Sequence, residues 1–335
     1  MRPRLLILHT GGTIGMRASG EGFRPMAGFA EVLERQLRPQ ASHLPAFDVV
    51  ELGSLIDSAN LQPTHWTEIA STLLAHWDDY DGFVVLHGTD TMAWTASALS
   101  FMLRGTDKPV ILTGAQIPLS QPRSDAPQNL HAALTLAANP AIREVCVCFH
   151  HRLLRGNRSR KLKSTGLDAF DSPNWPALAT IGIDIALNQA ALLPAGPRNF
   201  VVPHFDTEAV AVLQVYPGMP VRIVEAMLDN PAVRGLVLRT YGVGNAPDAD
   251  ARFMGSLANA VARGIVIVNT TQCPNGRVEP AAYATGSAIA RIGVVPGADM
   301  TLEAAFAKLH VLIASDMPFD QIRTRITQSL SGELS

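Results

Sequence analysis

A glycine turn near the N-terminus carries a hydroxyl that could attack a carbonyl. The segment 9–15 reads HTGGTIG and directly follows the apolar run LLIL. Paired glycines permit a tight turn with exposed backbone N–H groups, and Thr13 stands at its tip. Its hydroxyl could attack a carbonyl carbon while the N–H groups stabilise the resulting oxyanion. The alternative is a phosphate-binding loop, but the segment lacks the GK[ST] ending of a P-loop and the spacing of a dinucleotide fingerprint.

A second threonine stands in the segment HGTDT, again directly after an apolar run. Thr89 and Asp90 fall between a predicted strand and a predicted helix, a position typical of active-site residues in α/β proteins. A hydroxyl beside a carboxylate could relay a proton and anchor a substrate ammonium group. The alternative role for Asp90 is that of a helix N-cap.

Two other predicted strand ends carry polar side chains. Asp57 and Ser58 follow the second apolar run, where they either line the same crevice or cap a turn. Gln116 follows the fourth run, in the segment TGAQIPL. We expect these residues near the threonine turns because the carboxyl ends of parallel strands meet at one edge of a sheet.

The basic stretch RGNRSRKLKS contributes two of the four lysines in the chain. We interpret Lys163 as part of a solvated loop. Lys161 gains a chemical role only if the fold brings it to Thr89 and Asp90, where it could stabilise an alkoxide or orient the acid.

Short apolar runs that end in glycine or polar turns predict the strands that position these residues. Strands are predicted at 5–10, 47–52, 82–88, 109–114 and 144–150, with helices between them, including 64–77 and 92–103. The runs are continuously apolar rather than alternating, so we expect them to be buried on both faces of a parallel sheet covered by helices.

The chain is long enough for two domains, and the alternation of predicted strands and helices weakens at one place. Residues 1–187 carry all of the motifs above and form the predicted N-terminal domain. Residues 188–208 contain three prolines and little helical period, which predicts a linker. A C-terminal α/β domain over 209–335 has strands at 209–215, 235–240 and 264–270 and helices near 220–230, 249–263 and 301–315.

Composition excludes several classes of function. Apolar residues make up 47% of the chain and charged residues 17%, which is typical of a globular protein. The formal net charge of −2 gives no reason to expect binding to nucleic acid or to a membrane surface. The run LLIL is too short for a signal peptide, and the three cysteines suit a reducing compartment. We therefore expect a cytoplasmic protein.

One segment, VCVCFHH, could be mistaken for a metal site. Cys146 and Cys148 lie one residue apart on a predicted strand, whereas the ligands of zinc sites are usually spaced more widely. We interpret the segment, with His150 and His151, as a buried strand end.

Taken together, these motifs resemble the asparaginase family, and closely the bacterial type I cytoplasmic L-asparaginases. The matching segments are, in chain order, TGGTIGM, DGFVVLHGTDTMAWTASALSFML, TGAQIPL, RGNR, YGVGNAP, NTTQC, YATG and GADMT. The resemblance covers essentially the whole chain. It implies a two-domain α/β fold, with a larger N-terminal, mainly parallel sheet flanked by helices and a smaller C-terminal α/β domain.

The same resemblance implies a reaction and a set of site residues. The reaction is hydrolysis of L-asparagine to L-aspartate and ammonia by double displacement, with Thr13 forming the acyl-enzyme. Thr89, Asp90 and Lys161 would form the supporting relay. The implied substrate-binding residues are Asp57, Ser58, Asp90, Ala115 and Gln116. No metal or organic cofactor is expected, and the implied assembly is a homodimer or a homotetramer built as a dimer of dimers.

One position departs from the family pattern. Many members carry a tyrosine on the mobile loop after TGGTIG, where its hydroxyl assists the nucleophile. The matching stretch here is GEGFRP, which places Phe23 at that position. Tyr283, in the segment YATG, either substitutes for the missing hydroxyl from a neighbouring subunit or simply packs.

Regulation by asparagine at a separate site also stays open. The positions that resemble the allosteric site of some relatives are Arg239, Asn245, Thr271 and Cys273. Arg160, however, stands where such relatives can carry a small threonine, and a long cation there could block the pocket.

Two alternatives to a selective asparaginase remain open. A relaxed asparaginase-glutaminase is one, because the two substrates differ by a single methylene. An asparagine-binding or sensor protein on an impaired asparaginase scaffold is the other, and Phe23 is the only feature that favours it. A nucleotide-binding oxidoreductase is disfavoured because neither HTGGTIG nor YGVGNAP has the glycine spacing of a dinucleotide fingerprint.

Overall fold

The computed structural model describes residues 2–20, 22–25, 28–37, 43–279 and 284–335. The chain divides into two compact units, residues 1–202 and residues 203–335. Each unit has its own sheet and its own buried core.

The N-terminal unit contains the following elements in chain order. Its strands are β1 (Arg4–Gly11), β2 (Met16–Ser19), β3 (Gly22–Pro25), β4 (Ala46–Ile56), β5 (Gly82–Leu86), β6 (Leu103–Arg104), β7 (Val110–Thr113), β8 (Val145–Phe149), β9 (Arg152–Arg155), β10 (Arg160–Lys161), β11 (Phe170–Asp171), β12 (Ala179–Ile181), β13 (Ile185–Leu187) and β14 (Asn199–Phe200). Its helices are α1 (Phe29–Leu37), α2 (Pro63–Ala75), α3 (Met92–Met102) and α4 (Ala126–Ala137).

The main sheet of this unit has the strand order β13-β12-β9-β8-β7-β5-β1-β4. Strands β8, β7, β5, β1 and β4 are parallel, which confirms the predicted parallel sheet. All residues of β5, β7 and β8 are buried, as their continuous apolar runs predicted. The antiparallel edge formed by β9, β12 and β13 was not predicted, because these strands are short and show no period.

Strand order places a crevice at the carboxyl end of β1. The chain leaves β1, forms β4 on one side of it and then forms β5 on the other side. The connection after β1 leads to β4 on one side, and the connection after the adjacent β5 leads to β7 on the other side, so the loops after β1 and β5 run in opposite directions. Open α/β sheets bind ligands at such switch points.

A large apolar core fixes this sheet. Leu5 and Ile7 of β1, Val84 of β5 and Ile111 of β7 are fully buried in one cluster with residues of α1 and α4. Each such side chain stabilises the fold by about 1.5–3 kcal/mol relative to exposure. The loops at the carboxyl edge are therefore attached to rigid strands.

The C-terminal unit is a four-stranded parallel sheet with helices on both faces. Its strands are β15 (Val210–Gln214), β16 (Gly235–Thr240), β17 (Val266–Thr271) and β18 (Val295–Pro296), in that spatial order. Its helices are α5 (Val221–Leu228), α6 (Ala251–Ala262), α7 (Ala284–Arg291), α8 (Leu302–Ala314) and α9 (Phe319–Ile326). Residues of α8 and α9 share a core with one face of the sheet, and residues of α5 and α6 share a core with the other. The predicted fold class is confirmed for both units.

The segment predicted as a linker, 188–208, contains a short strand. Strand β14 pairs with β6, and Phe200 packs edge-on against Trp77 with ring centroids 4.9 Å apart. The compact N-terminal unit thus extends to residue 202. The domain boundaries at 187 and 209 stay a prediction.

Within the described ranges, no helix is long and apolar enough to cross a membrane.

Candidate active site

Close backbone contacts at glycines bring three of the predicted loops together. A Cβ atom on Gly11 would lie 2.3 Å from the carbonyl oxygen of Ile56, and one on Gly12 would lie 2.3 Å from the nitrogen of Gly88. A Cβ atom on Gly88 would lie 2.4 Å from Oγ of Ser58. Such distances are impossible for a real side chain, so only glycine permits this approach. The loops after β1, β4 and β5 therefore meet, as the motif positions predicted.

Thr13 begins a 3-10 turn directly after this contact. The turn spans Thr13–Gly15, and its preceding residue, Gly12, has φ 86°, a conformation that favours glycine. The N–H of Gly15 donates to the carbonyl oxygen of Gly12 at 3.2 Å, which closes the turn. Thr13 is half-buried. Its position at the tip of the glycine turn agrees with the sequence prediction.

Lys161 lies beside the second threonine motif. Its Nζ donates to Oγ1 of Thr89 and to Oδ1 of Asp90, both at 2.8 Å. Thr89 is buried, the Lys161 side chain is 18% exposed and the Asp90 carboxylate is 62% exposed. The residue that precedes α3 is Thr91, and the carboxylate of Asp90 pairs with Lys161 instead of capping that helix. Lys161 and Thr89 are 72 residues apart in the chain, and the fold brings their side chains into hydrogen-bond contact. The condition for a chemical role of Lys161, that it lies beside Thr89 and Asp90, is therefore met.

The Gln116 amide links the same threonine to the loop after Lys161. The Thr89 hydroxyl donates to Oε1 of Gln116 at 3.1 Å. Nε2 of Gln116 donates to the carbonyl oxygens of Ser164 and Gly166 at 3.2 and 3.1 Å. The Gln116 side chain therefore spans the site from the end of β7 to the loop after β10.

Asp57 and Ser58 occupy the loop after β4. The Asp57 carboxylate is exposed and accepts from the N–H of Ala59 at 3.2 Å, so it does cap the short turn that follows. Ser58 is buried, and its carbonyl oxygen accepts from the Thr91 hydroxyl at 2.8 Å. The turn-capping role and a place at the crevice thus coexist in this loop.

Two buried histidines stand beneath the threonine turns. Desolvation lowers the pKa of His87 to about 4, so its ring is neutral near pH 7. Nδ1 of His87 contacts the carbonyl oxygen of Gly88 at 2.8 Å, and Nε2 contacts the Thr95 hydroxyl at 2.9 Å. Burial also lowers the pKa of His9, against the opposing influence of Glu51 at 3.3 Å. Both rings support the loops through these contacts.

The sequence prediction missed two buried residues at the amino end of α4. The Asp125 carboxylate accepts from the N–H groups of Gln116 and Ile117 at 3.0 and 2.9 Å. Nδ2 of Asn129 donates to the carbonyl oxygen of Gly114 at 3.0 Å and to Asp125 at 3.2 Å. An aspartate before a helix with a proline in its first turn is typical of an N-cap, so nothing in the local pattern connects Asp125 with the site.

The position that lacks the usual tyrosine lies in the hairpin after the Thr13 turn. Strands β2 and β3 form this hairpin, and the backbone of Phe23 pairs with Ala18. Tyr283, the possible source of a substitute hydroxyl, lies outside the described residues.

The four positions considered for allostery lie around the ends of β16 and β17 in the C-terminal unit. Arg239 donates to Oε1 of Gln214 at 2.6 Å, and Thr271 donates to the carbonyl oxygen of Gly242 at 2.6 Å. Thr271 also accepts from the N–H of Cys273, and Asn245 forms an isolated bridge with Tyr241. Arg160 lies in β10 of the N-terminal unit, opposite Asp171.

The segment with paired cysteines is a buried strand. Cys146 and Cys148 lie in β8, and burial raises the pKa of the Cys148 thiol to about 12. The described part of the chain contains no group of three or more His, Cys, Asp or Glu side chains that could hold a metal ion.

Comparison with known proteins identifies the family. The model for the asparaginase N-terminal domain matches residues 4–193, and the model for the glutaminase/asparaginase C-terminal domain matches residues 209–325. The chain therefore belongs to the asparaginase family.

Its relatives are similar over the whole chain. L-asparaginase 1 of Escherichia coli K12 is 47% identical over 338 residues, which cover 99% of this chain and 98% of that protein. The crystal structure of L-asparaginase I from Vibrio cholerae superimposes with a TM-score of 0.92 at 43% identity, with 100% of both chains covered. A mouse protein named 60 kDa lysophospholipase is 40% identical over 355 residues, which cover 99% of this chain and 62% of that protein.

Proposed function

We propose that this chain hydrolyses the side-chain amide of L-asparagine to L-aspartate and ammonia. The observation that carries the proposal is the cluster in which Lys161 contacts both Thr89 and Asp90, next to the glycine turn that bears Thr13. Whole-length similarity to proteins named L-asparaginase supports the choice of substrate.

The proposed reaction proceeds in two displacements. The Thr13 hydroxyl adds to the amide carbon, the C–N bond breaks, and the nitrogen leaves as ammonia after taking up the proton that Thr13 lost. Water then attacks the resulting ester, which releases aspartate and restores the Thr13 hydroxyl. The Lys161 ammonium stabilises negative charge that develops at Oγ1 of Thr89, so Thr89 can pass the proton between nucleophile and leaving group.

The polar and charged side chains beside the crevice support the proposed recognition of the α-ammonium and α-carboxylate groups of the substrate. Asp57 and Asp90 are exposed carboxylates beside the crevice and suit the α-ammonium group of the substrate. The Ser58 hydroxyl lies at the contact with Gly88 and suits the α-carboxylate. Ala115 and Gln116 would face the reacting amide from the loop after β7.

The hairpin of β2 and β3 is the proposed lid over this site. With Phe23 the lid keeps an aromatic ring but lacks a hydroxyl, so Thr13 must obtain its activation elsewhere. Tyr283 from a neighbouring subunit is the proposed substitute, which would require a homodimer or a dimer of dimers. We further propose that the enzyme works in the cytoplasm without a metal or organic cofactor.

A relaxed asparaginase-glutaminase is the second candidate function. The family model that matches residues 209–325 covers glutaminases as well as asparaginases. One extra methylene changes selectivity by only about 10–200-fold, so pocket shape alone does not exclude glutamine.

Ammonia release by the purified protein at neutral pH tests the proposal directly. L-asparagine and L-glutamine are assayed side by side, and fatty-acid release from a lysophospholipid is measured because one relative bears that name. We expect rapid release from asparagine, slower release from glutamine and no fatty acid. Equal rates on the two amides would support the relaxed enzyme, and fatty-acid release alone would overturn amide hydrolysis.

The binding-protein alternative predicts a different result. Asparagine would raise the melting temperature, but neither amide would be hydrolysed. Regulation is tested in the same assay, since an allosteric asparagine site produces a sigmoidal rate curve and a single class of site produces a hyperbolic one.

A further inference from the structure

We propose that Asp125 is a positioning residue for the reaction, and that it acts by holding Ala115 and Gln116 in the site. This inference rests on the proposed function and extends it to a residue that makes no contact with the substrate. It concerns both the rate of the chemical step and the choice between asparagine and glutamine.

The first support is the double contact that Asp125 makes. Oδ2 accepts from the N–H of Gln116 at 3.0 Å, and Oδ1 accepts from the N–H of Ile117 at 2.9 Å. Hydrogen bonds to an ionised acceptor are stronger than neutral ones. Two bonds from one carboxylate to consecutive amides fix the orientation of both peptide planes, and Asp125 is itself 8% exposed.

The second support is that Asn129 holds the other end of the same loop. Its Nδ2 donates to the carbonyl oxygen of Gly114 at 3.0 Å and to Oδ2 of Asp125 at 3.2 Å. Its Oδ1 accepts from the N–H of His150 at 2.9 Å, which ties the pair to the end of β8. Ala115, 1% exposed, is therefore bracketed between a fixed carbonyl and two fixed N–H groups.

The loop that carries Ala115 has no room to move away from Asp125. A Cβ atom on Gly114 would lie 2.3 Å from the carbonyl oxygen of His87. The loop thus lies directly against the end of β5 on one side and against Asp125 on the other. Any change at Asp125 is transmitted to Gln116, whose side chain accepts from Thr89 at 3.1 Å.

A purely structural role would use this aspartate differently. Asp125 occupies the residue before α4, where an aspartate normally accepts N–H groups of its own helix. Its side chain makes no such capping bond. The carboxylate is committed instead to the backbone of the loop that carries Ala115.

The test compares Asp125→Asn with a matched control, Asp250→Asn. Asparagine keeps the size of the side chain but presents an N–H group where one of the two amides needs an acceptor. Asp250 also receives two backbone N–H groups, from Arg252 and Phe253 at 3.0 Å, but it caps α6 in the C-terminal unit. kcat and KM are measured for asparagine and glutamine, together with the melting temperature of each variant.

For Asp125→Asn we expect kcat on asparagine to fall about 10–100-fold, because a small misplacement of a positioning group costs that much. The preference for asparagine over glutamine should change as well. For Asp250→Asn we expect a lower melting temperature with kcat unchanged. If Asp125→Asn behaves like the control, with lost stability and full kcat per folded molecule, the positioning role is wrong.

Two further measurements test the proposal if Asp125→Asn does not fold or if the wild-type protein hydrolyses neither amide. If Asp125→Asn does not fold, Asn129→Ser removes the side-chain contacts with Gly114, Asp125 and His150 while the Asp125 carboxylate keeps its two backbone partners. It should lower kcat in the same direction, and an unchanged kcat would overturn the inference. If the wild-type protein hydrolyses neither amide, the proposed function fails by itself. Hydrogen exchange at Gln116 and Ile117 then decides the positioning claim, since equal exchange in wild type and Asp125→Asn would contradict it.

Discussion

Lys161 is the residue on which the proposed relay depends most. It is a cation with two oxygen partners at 2.8 Å, and one of them is the buried Thr89 hydroxyl. The ion pair with the exposed Asp90 adds little stability by itself, because solvent screens it. The main effect of the lysine should therefore be chemical.

We predict that Lys161→Met lowers kcat on asparagine by about 10²–10⁴-fold, the usual contribution of a positioned proton-transfer group. The matched control is Lys163→Met, which removes a neighbouring lysine that pairs with Asp168 at the surface. The control should keep kcat within about twofold of the wild-type value. Equal activity of the two variants would remove Lys161 from the relay.

Phe23 defines the second prediction at this scale. Phe23→Tyr restores the hydroxyl that many family members carry, and we predict that it raises kcat on asparagine. Phe23→Leu is the control, since it adds no polar group and should give no increase. A rate unchanged by tyrosine would mean that the activation of Thr13 comes entirely from other residues.

The sequence predicted some site residues and not others for physical reasons. Thr13 and Thr89 were recognisable because a hydroxyl after a strand and beside glycine is an unusual local pattern. Asp125 was not, because its role depends on contacts with residues eight and nine positions earlier in the chain, on another element. Local sequence only showed an aspartate at the start of a helix.

At the scale of elements, the glycines hold the site together. Gly12 has φ 86° and lies directly against the backbone of Gly88. With ψ 175° this backbone conformation is essentially restricted to glycine and costs another residue about 1–3 kcal/mol, and a side chain would in addition meet the backbone of Gly88.

We predict that Gly12→Ala lowers both kcat and the melting temperature, because the Cβ atom forces the loops after β1 and β5 apart. The matched control is Gly255→Ala in α6, where no atom lies within 4 Å of the added Cβ. Alanine is favoured over glycine inside a helix by about 0.5–1 kcal/mol, so this control should be neutral or stabilising. Thermal unfolding and ammonia release measure both effects.

The elements themselves were predictable where burial decides them. The central strands are continuously apolar because helices cover both faces, and the predicted strands overlap β1, β4, β5, β7 and β8. The edge strands β9, β12 and β13 are three or four residues long, too short for any period to be read. Their pairing is set by tertiary contacts, which one sequence does not display.

At the scale of the whole molecule, buried histidines in both units couple folding to pH. Burial lowers the pKa of His87 and of His310 to about 4. The unfolded chain, with histidine pKa near 6.5, binds more protons than the folded protein between pH 6.5 and 4. The stability that these two histidines contribute should therefore be constant above about pH 6.5 and should fall as the pH drops toward 4.

We predict that the free energy of unfolding, measured by urea denaturation, is lower at pH 4.5 than at pH 7. His87→Gln cannot be protonated, so the difference between the two pH values should shrink in that variant. His131→Gln changes an exposed histidine and should leave the difference unchanged. A pH dependence that is identical in both variants would contradict the contribution of His87.

The central claim is that Thr13 is the nucleophile, and the rate of ammonia release from asparagine by Thr13→Ala tests it most directly. Thr13→Ser, which keeps a hydroxyl on the same turn, is the matched comparison. We predict that the alanine variant loses at least about 10³-fold in kcat while keeping the wild-type melting temperature, and that the serine variant keeps measurable turnover. An alanine variant that hydrolyses asparagine as fast as the serine variant would contradict the account.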